Sequence, residues 1–439
     1  MQALKKILQQ NQKVLLSIFT FFISGAFLGQ NEFQVNAERN FKLLNYRSQL
    51  NNFVSIDADG VRIFSSPTQK KTGTPEFTLF WEEVPAFTQL TKTTDSDSLI
   101  NWYEKKKNNN YSSSWVVNSA EIPLLEEVKI LPLEGKVIAL DPGHIAGDMV
   151  CAKIEQKYLD WRANDTTGLK EPVQIAEGVL TWQTAMLIKY QLEKQGARII
   201  ITRPTINSTS FGLSYDEWLE KRKIVVLDSL KKIKKISATE HQNLLKADKK
   251  KFFWDFFRDY DLSNRVKIIN AAQADLSLII HYNVDEKNTD WKKPSDKNFS
   301  MCFIGGAMTS DNFNKTINKI QFLRLLVTDD MAKSEKLSAI LVKQFVSTLK
   351  TDVAGLRDAT YLTENCVATN SSGVFSRNLA LCRGINTPLA YGESLYQDHR
   401  EECLRLNKSD QIFFEIKTNE RVKQVADCYV GAVLKYFNP

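Results

Sequence analysis

The stretch Val137-Ile-Ala-Leu-Asp-Pro-Gly-His144 constrains this chain more than any other. An apolar run broken by Asp-Pro-Gly reads as a short buried strand stopped by a turn. In an open α/β sheet, ligands collect in the crevice beyond the carboxyl ends of the strands, and His144 is delivered there. One histidine proves little, because an imidazole satisfied within a loop looks the same in sequence. The pattern recurs, however. Leu276-Ser-Leu-Ile-Ile280 is a second short apolar run and delivers His281, and Pro388-Leu-Ala-Tyr391 is a third and delivers Glu393 after Gly392. Two of the four histidines thus end strand-like runs, with a carboxylate at the end of another.

Between these runs the signals alternate. Trp182, Ala185, Ile188 and Leu192 recur at three or four residues and mark one face of a helix that Glu177 opens and Gly196 ends. Ala197-Arg-Ile-Ile-Ile-Thr202 then reads as a buried strand returning to the sheet. Leu337, Leu341 and Phe345 mark another helix, and Val422, Val425, Tyr429 and Val433 a last one. The fold class is α/β, a mostly parallel sheet flanked by helices. Upstream, Phe53-Val-Ser-Ile56, Val61-Arg-Ile63, Phe77-Thr-Leu-Phe-Trp81 and Trp115-Val-Val117 are short β-branched or aromatic runs separated by turn residues. They predict a smaller β-rich N-terminal domain over residues 38–134, with the polar tract Lys105 to Ser114 as an exposed loop.

Lys5, Lys6 and Lys13 precede the uncharged run Val14 to Gly29, the pattern of an export signal or a signal anchor over residues 1–37. The expected location is therefore the periplasm or cell envelope, with a membrane anchor if the signal is kept. The first cysteine is Cys151, so no thiol near that run can carry a lipid. A net charge of +7 suits anionic surroundings such as a membrane surface or wall polymer; no motif points to nucleic acid. Six cysteines in 439 residues are too sparse for a disulfide-built scaffold. Bridges among the five later cysteines and buried free thiols both fit.

Asp141-Pro-Gly-His144, Glu177, Gly196-Ala-Arg-Ile-Ile-Ile-Thr-Arg203, Asn264-Arg265 before Ala274-Asp275, His281-Tyr-Asn283 and Thr387-Pro-Leu-Ala-Tyr-Gly-Glu393 occur in that order. Together, over roughly residues 136 to 437, they resemble the zinc-dependent N-acetylmuramoyl-L-alanine amidases, the amidase 3 family of cell-wall hydrolases. The resemblance implies a Zn2+ ion held by His144, Glu177 and His281, with Glu393 as the catalytic carboxylate. The reaction it implies is hydrolysis of the amide between N-acetylmuramic acid and L-alanine of peptidoglycan by a zinc-bound hydroxide. Two histidines and one carboxylate make a usual catalytic zinc set that leaves room for water, whose pKa the ion lowers to about 7. The resemblance gives Glu393 the task of taking the proton from water and passing it to the leaving nitrogen. On the residues alone, Glu177 is equally a helix-start carboxylate favoured by the dipole, and Glu393 a surface acid. Glu155 and Glu171 compete for the place of Glu177, and Cys151 and His399 are rival ligands.

The chain also departs from that family. Ile145-Ala146-Gly147 stands where Gly-Gly is usual, Tyr282 where a small residue is usual, and Glu177 follows His144 by 33 residues (177 − 144). Within a catalytic domain over 135–439, residues near 205–259 read as a lysine-rich helical insertion, most simply a solvated helical surface. This insertion, or the segment Asp285 to Asp330, is expected to cover the site until an activator protein moves it. Two other readings stay open: a non-catalytic peptidoglycan-binding or regulatory protein that retains the fold, and a zinc peptidase of other specificity.

Overall fold

The structure is a computed structural model and describes residues 32–108, 131–164, 167–288 and 293–438. The chain forms two compact units. Of the described residues, one takes in 32–108 together with Met308–Asp329, and the other those between 131 and 307 together with 330–438.

In the first unit, three of the expected runs become strands β1 (Val54–Ile56), β2 (Gly60–Ile63) and β3 (Phe77–Phe80), an antiparallel sheet in that order. Helices accompany them over 32–44, Val84–Thr93, Ser96–Asn108 and Thr316–Val327. Lys105, Lys106 and Lys107, expected in an exposed loop, form the last turn of the Ser96–Asn108 helix instead; cations there complement the carbonyl end of the helix dipole. Thr316–Val327 is buried over most of its length, and the one lysine it buries, Lys319, is matched by Glu76 at 2.6 Å. The strand expected at Trp115–Val117 and the export signal up to residue 31 lie outside the described residues. Among the described residues, no helix is long and apolar enough to cross a membrane.

The second unit is built on a mixed sheet. Its strands are β4 (Val137–Pro142), β7 (Arg198–Ile201), β8 (Leu276–Asn283), β9 (Phe299–Gly305), β10 (Asp352–Val353), β11 (Cys366–Ala368), β12 (Val374–Arg377) and β13 (Leu389–Tyr396). The hairpin β5 (Tyr158–Trp161) and β6 (Val173–Ala176) stands apart from it. The order is β11-β12-β9-β13-β8-β4-β7, with β10 beside β9. β7, β4, β8 and β13 run parallel, β9 is antiparallel to β13, and β11 is antiparallel to β12. The parallel strands carry the site. β8 is buried along Leu276 to Tyr282, the near-continuous apolar run of a strand covered on both faces. β7, expected as a buried strand, is the sheet edge: Arg198 is exposed and Ile199 to Ile201 are only half-buried.

Helices cover both faces. On one side the periodic residues Leu337, Leu341, Phe345, Val422, Val425, Tyr429 and Val433 are all buried in helices Asp330–Leu349 and Glu420–Phe437. Tyr429 comes so close that a Cβ on Gly392 would lie 2.3 Å from its hydroxyl, so β13 needs glycine there. On the other, Ala139, Ile279, Phe303 and Tyr391 pack with Ile269 of the segment Arg258–Ala271, with Leu381 of Ala380–Gly384 and with Ile385 just after it. All six cysteines are buried and unbridged.

The expected insertion folds as helices Tyr215–Lys221, Lys223–Lys232, Ala238–Lys246 and Lys249–Phe252, then a π-helical turn, Phe253–Phe257. Its lysines face solvent, but its inner side does not: Trp218, Leu227, Phe252 and Phe257 form one apolar core with Ile145, Ala146 and Ala152. Nor is Asp285 to Asp330 a free cover. It contributes the interior strand β9 and the segment Met308–Asp329 of the first unit.

Candidate metal centre

β4 ends at Pro142, and the chain turns at Gly143 and His144. Gly143 is forced by space: a Cβ there would lie 2.2 to 2.6 Å from ring atoms of His281. His144 then takes a left-handed conformation, φ 63°, which costs a non-glycine residue roughly 1–2 kcal/mol. Its surroundings hold it there. The buried guanidinium of Arg265 donates to Pro142 O at 2.8 Å and to His144 O at 2.6 Å. Arg203, also buried, donates to Gly143 O at 3.0 Å and Ile145 O at 3.3 Å, and Thr181 Oγ1 donates to Gly143 O at 2.7 Å. From the opposite side the Glu155 carboxylate accepts the N–H groups of Ile145 at 3.1 Å and Ala146 at 2.9 Å. Two cations thus take the loop carbonyls and one anion its N–H groups.

Glu177 is the first residue of the helix Glu177–Lys194 and is 2% exposed. The helix dipole favours a carboxylate there; Tyr282 N donates to Oε1 at 3.2 Å and Gln397 Nε2 to Oε2 at 3.1 Å. Gly178 lets this helix start press on the His144 loop, since a Cβ would lie 2.4 Å from Ala146 O. His281, near the end of β8, stacks on Tyr391 with ring centroids 4.6 Å apart and planes 6° from parallel.

These elements bring three donors to one point. Glu177 Oε1 lies 3.1 Å from His144 Nε2 and 3.2 Å from His281 Nδ1, and the three donor atoms all fall within 4.8 Å of one another. Zinc donors at about 2.0–2.1 Å leave neighbouring donor atoms a little over 3 Å apart; the spacing and the donor types both fit that ion. The charges agree. Burial opposes ionisation of Glu177, but the two imidazoles hold its carboxyl well below the usual range. Burial likewise opposes a proton on His144, yet the Glu177 and Glu155 carboxylates outweigh it and raise the group to about 9. His281 moves down, through burial and the neighbouring His144.

Residues 138–413, more than half of the chain, match the family described as amidase 3, N-acetylmuramoyl-L-alanine amidase. The chain belongs to this amidase family. No curated protein sequence matches it. Among solved structures it is similar to the CwlD amidase from Clostridioides difficile in complex with the GerS lipoprotein, 16% identical over 69% of this chain and 98% of that one, with TM-score 0.37. It is also similar to the amidase Ami1 from Mycobacterium smegmatis, 13% identical over 70% and 98%, TM-score 0.37, and to AmiC2 of Nostoc punctiforme, 12% identical over 69% and 98%, TM-score 0.33.

The remaining candidates in this amidase sort by position. Glu393 pairs in register with His281 across β13 and β8. Burial and the Glu177 carboxylate push its carboxyl up to about 8, against a smaller pull from Lys157 and Arg377. A cavity of about 170 Å³ opens beside His144, His281 and Tyr391, walled by Phe253, Leu262 and Leu379. Cys151 is buried in the insertion core, and burial raises its thiol far from the thiolate range. His399 caps the Arg400–Leu406 helix, His241 pairs with Asp228 at 2.7 Å, and Glu171 is exposed. Three supporting residues went unassigned in the sequence. Arg265 stood inside the Asn264-Arg265 motif without a role, and Gln397 gave no signal beyond following a strand. Glu155 offers one hint, as the lone acid of the short stretch Met149–Glu155.

Proposed function

We propose that this protein hydrolyses the amide between N-acetylmuramic acid and L-alanine in peptidoglycan, with zinc held by His144, Glu177 and His281 and with Glu393 as the proton carrier. The observation that carries the proposal is the convergence of His144 Nε2 and His281 Nδ1 on a single oxygen of Glu177. When bound, zinc acidifies water and polarises the scissile carbonyl. Every other task falls to the chain. Glu393, beside His281, takes the proton of the attacking water and gives it to the amide nitrogen as the C–N bond breaks. The products are a lactyl carboxylate on the glycan and a stem peptide with a free alanine amine. A carboxyl whose burial raises its pKa towards the working pH suits both halves of that transfer. The Tyr391 ring, flat against His281, fixes the plane of one ligand. Phe253, Leu262 and Leu379 give the adjoining cavity an apolar wall, and Asp141, Arg258, Asp261 and Arg265 line it as well.

The substrate lies outside the cytoplasmic membrane, so this reading requires export, in keeping with Lys5, Lys6, Lys13 and the uncharged run after them. The test is digestion of purified peptidoglycan by the zinc-loaded protein, with the fragments weighed by mass spectrometry. Stem peptides beginning with free L-alanine are expected. Cleavage of another bond, or none by protein that holds its zinc, would overturn the proposal.

A further inference from the structure

A second buried carboxylate lies behind His144, turned away from the donor group. Glu155 ends the short helix Met149–Glu155, is 3% exposed and is not one of the three converging donors. Its Oε1 is 3.6 Å from His144 Nδ1, the ring nitrogen opposite the one that faces Glu177. The same carboxylate accepts the N–H groups of Ile145 and Ala146, the two residues that follow His144. It therefore faces the histidine ring at ion-pair distance and holds by direct hydrogen bonds the loop that follows it.

We infer that Glu155 is the positioning residue for His144: it fixes the tautomer with the proton on Nδ1, leaving the Nε2 lone pair for the metal, and it locks the loop after the histidine. Histidine ligands in metal sites commonly give their second N–H to a carboxylate or carbonyl, which orients the ring and strengthens the donor. Here the acid comes from a helix eleven residues downstream (155 − 144). The inference rests on the zinc reading given above and concerns how the ion is held.

Its test reads metal affinity and ring chemistry, not turnover. Zinc affinity is measured by competition with a chromogenic chelator for the full chain and for Glu155→Gln, which keeps the side chain's shape and one acceptor oxygen but loses the charge. A 10- to 100-fold loss is expected, with the far-ultraviolet circular dichroism of the metal-free protein unchanged. An equal affinity in the variant overturns the inference. If the variant fails to fold, the wild type decides: long-range 1H–15N spectra of the zinc-loaded protein should show His144 protonated on Nδ1, and a proton on Nε2 overturns the inference. Wild-type protein that takes up no zinc would remove the metal reading as well. Zinc uptake with an unaffected Glu155→Gln variant would remove this inference alone.

Discussion

His281 and Glu393 stand opposite each other in register on neighbouring parallel strands. On the function proposed above, the pairing puts a metal donor and a proton carrier side by side on one face of the sheet with different jobs, because Glu393 stays outside the converging donor group. Glu393→Gln should therefore keep a full complement of zinc while turnover on peptidoglycan falls by about 10²- to 10⁴-fold, the usual worth of general acid–base catalysis. Metal content and kcat measured on the same preparation check this. Lost zinc would make Glu393 a ligand, and retained turnover would leave it idle.

Zinc should bind more tightly as pH rises. In the metal-free protein the Glu177 and Glu155 carboxylates hold the His144 proton up to about pH 9, against an ordinary histidine value of about 6.5. The ion must displace that proton, so affinity should grow about tenfold per pH unit and level off above about 9. The stability of the metal-free protein carries the opposite sign. A raised histidine contributes fully below about 6.5 and loses its contribution as pH climbs through about 9. Calorimetric titrations at several pH values give the first slope and thermal melts of the chelated protein the second. A flat affinity across pH 6 to 9 would mean that His144 is already neutral.

What the sequence disclosed followed from how local each signal was. An apolar run closed by Asp-Pro-Gly or Gly needs no partner to be recognised, so β4, β8, β13 and the residues at their ends were legible. So was the helix behind Glu177, whose buried face repeats in the residue order itself. Strand neighbours were not. Nothing local to Ala197–Thr202 distinguishes an edge from an interior strand, and Ile199 to Ile201 read as buried although, among the described residues, β7 has a partner on one side only. Glu155 and Arg265 were illegible for the same reason. Their partners, the backbone groups of the His144 loop, are 121 residues from Arg265 in the chain, and a backbone group has no letter in the sequence. Met308–Asp329 is a case of sequence continuity misleading, since its buried helix packs with residues more than 200 positions earlier, as in the pair Lys319 and Glu76.

Arg265 should be indispensable to the folded state. Its Nε donates to Asp261 at 2.7 Å, its Nη1 reaches Asp141 at 3.2 Å, and all three side chains are almost fully buried. Removing one partner of such a buried set leaves uncompensated charge and costs about 3–5 kcal/mol. Arg265→Ala should therefore lose that much in urea unfolding of the metal-free protein. Arg265→Lys should recover only part, because one ammonium cannot serve two carboxylates and the carbonyls of Pro142 and His144 together. A change below about 1 kcal/mol in the alanine variant would show that the site has another counter-charge.

Cutting out the insertion should silence the protein, the reverse of what a removable lid would give. A lid can leave only if its inner face is separately satisfied, and this one is not. Trp218 is 1% exposed and shares its core with Phe252 and Phe257 from the insertion and with Ile145 and Ala146, the residues just after His144. Trp254 adds a tether by donating from its indole nitrogen to Ile154 O at 3.1 Å, one residue before Glu155. Excision of residues 214–257 would expose that apolar surface and free the loop that carries His144. Zinc affinity and turnover should both fall. A milder cut makes the same point: Trp218→Ala should cost about 3–5 kcal/mol of stability and weaken zinc binding. Phe345→Ala, an equally buried change in a helix on the other side of the sheet, should cost as much stability without touching the metal. Higher turnover after excision, or equal zinc loss in the two point variants, would break the link between insertion and loop.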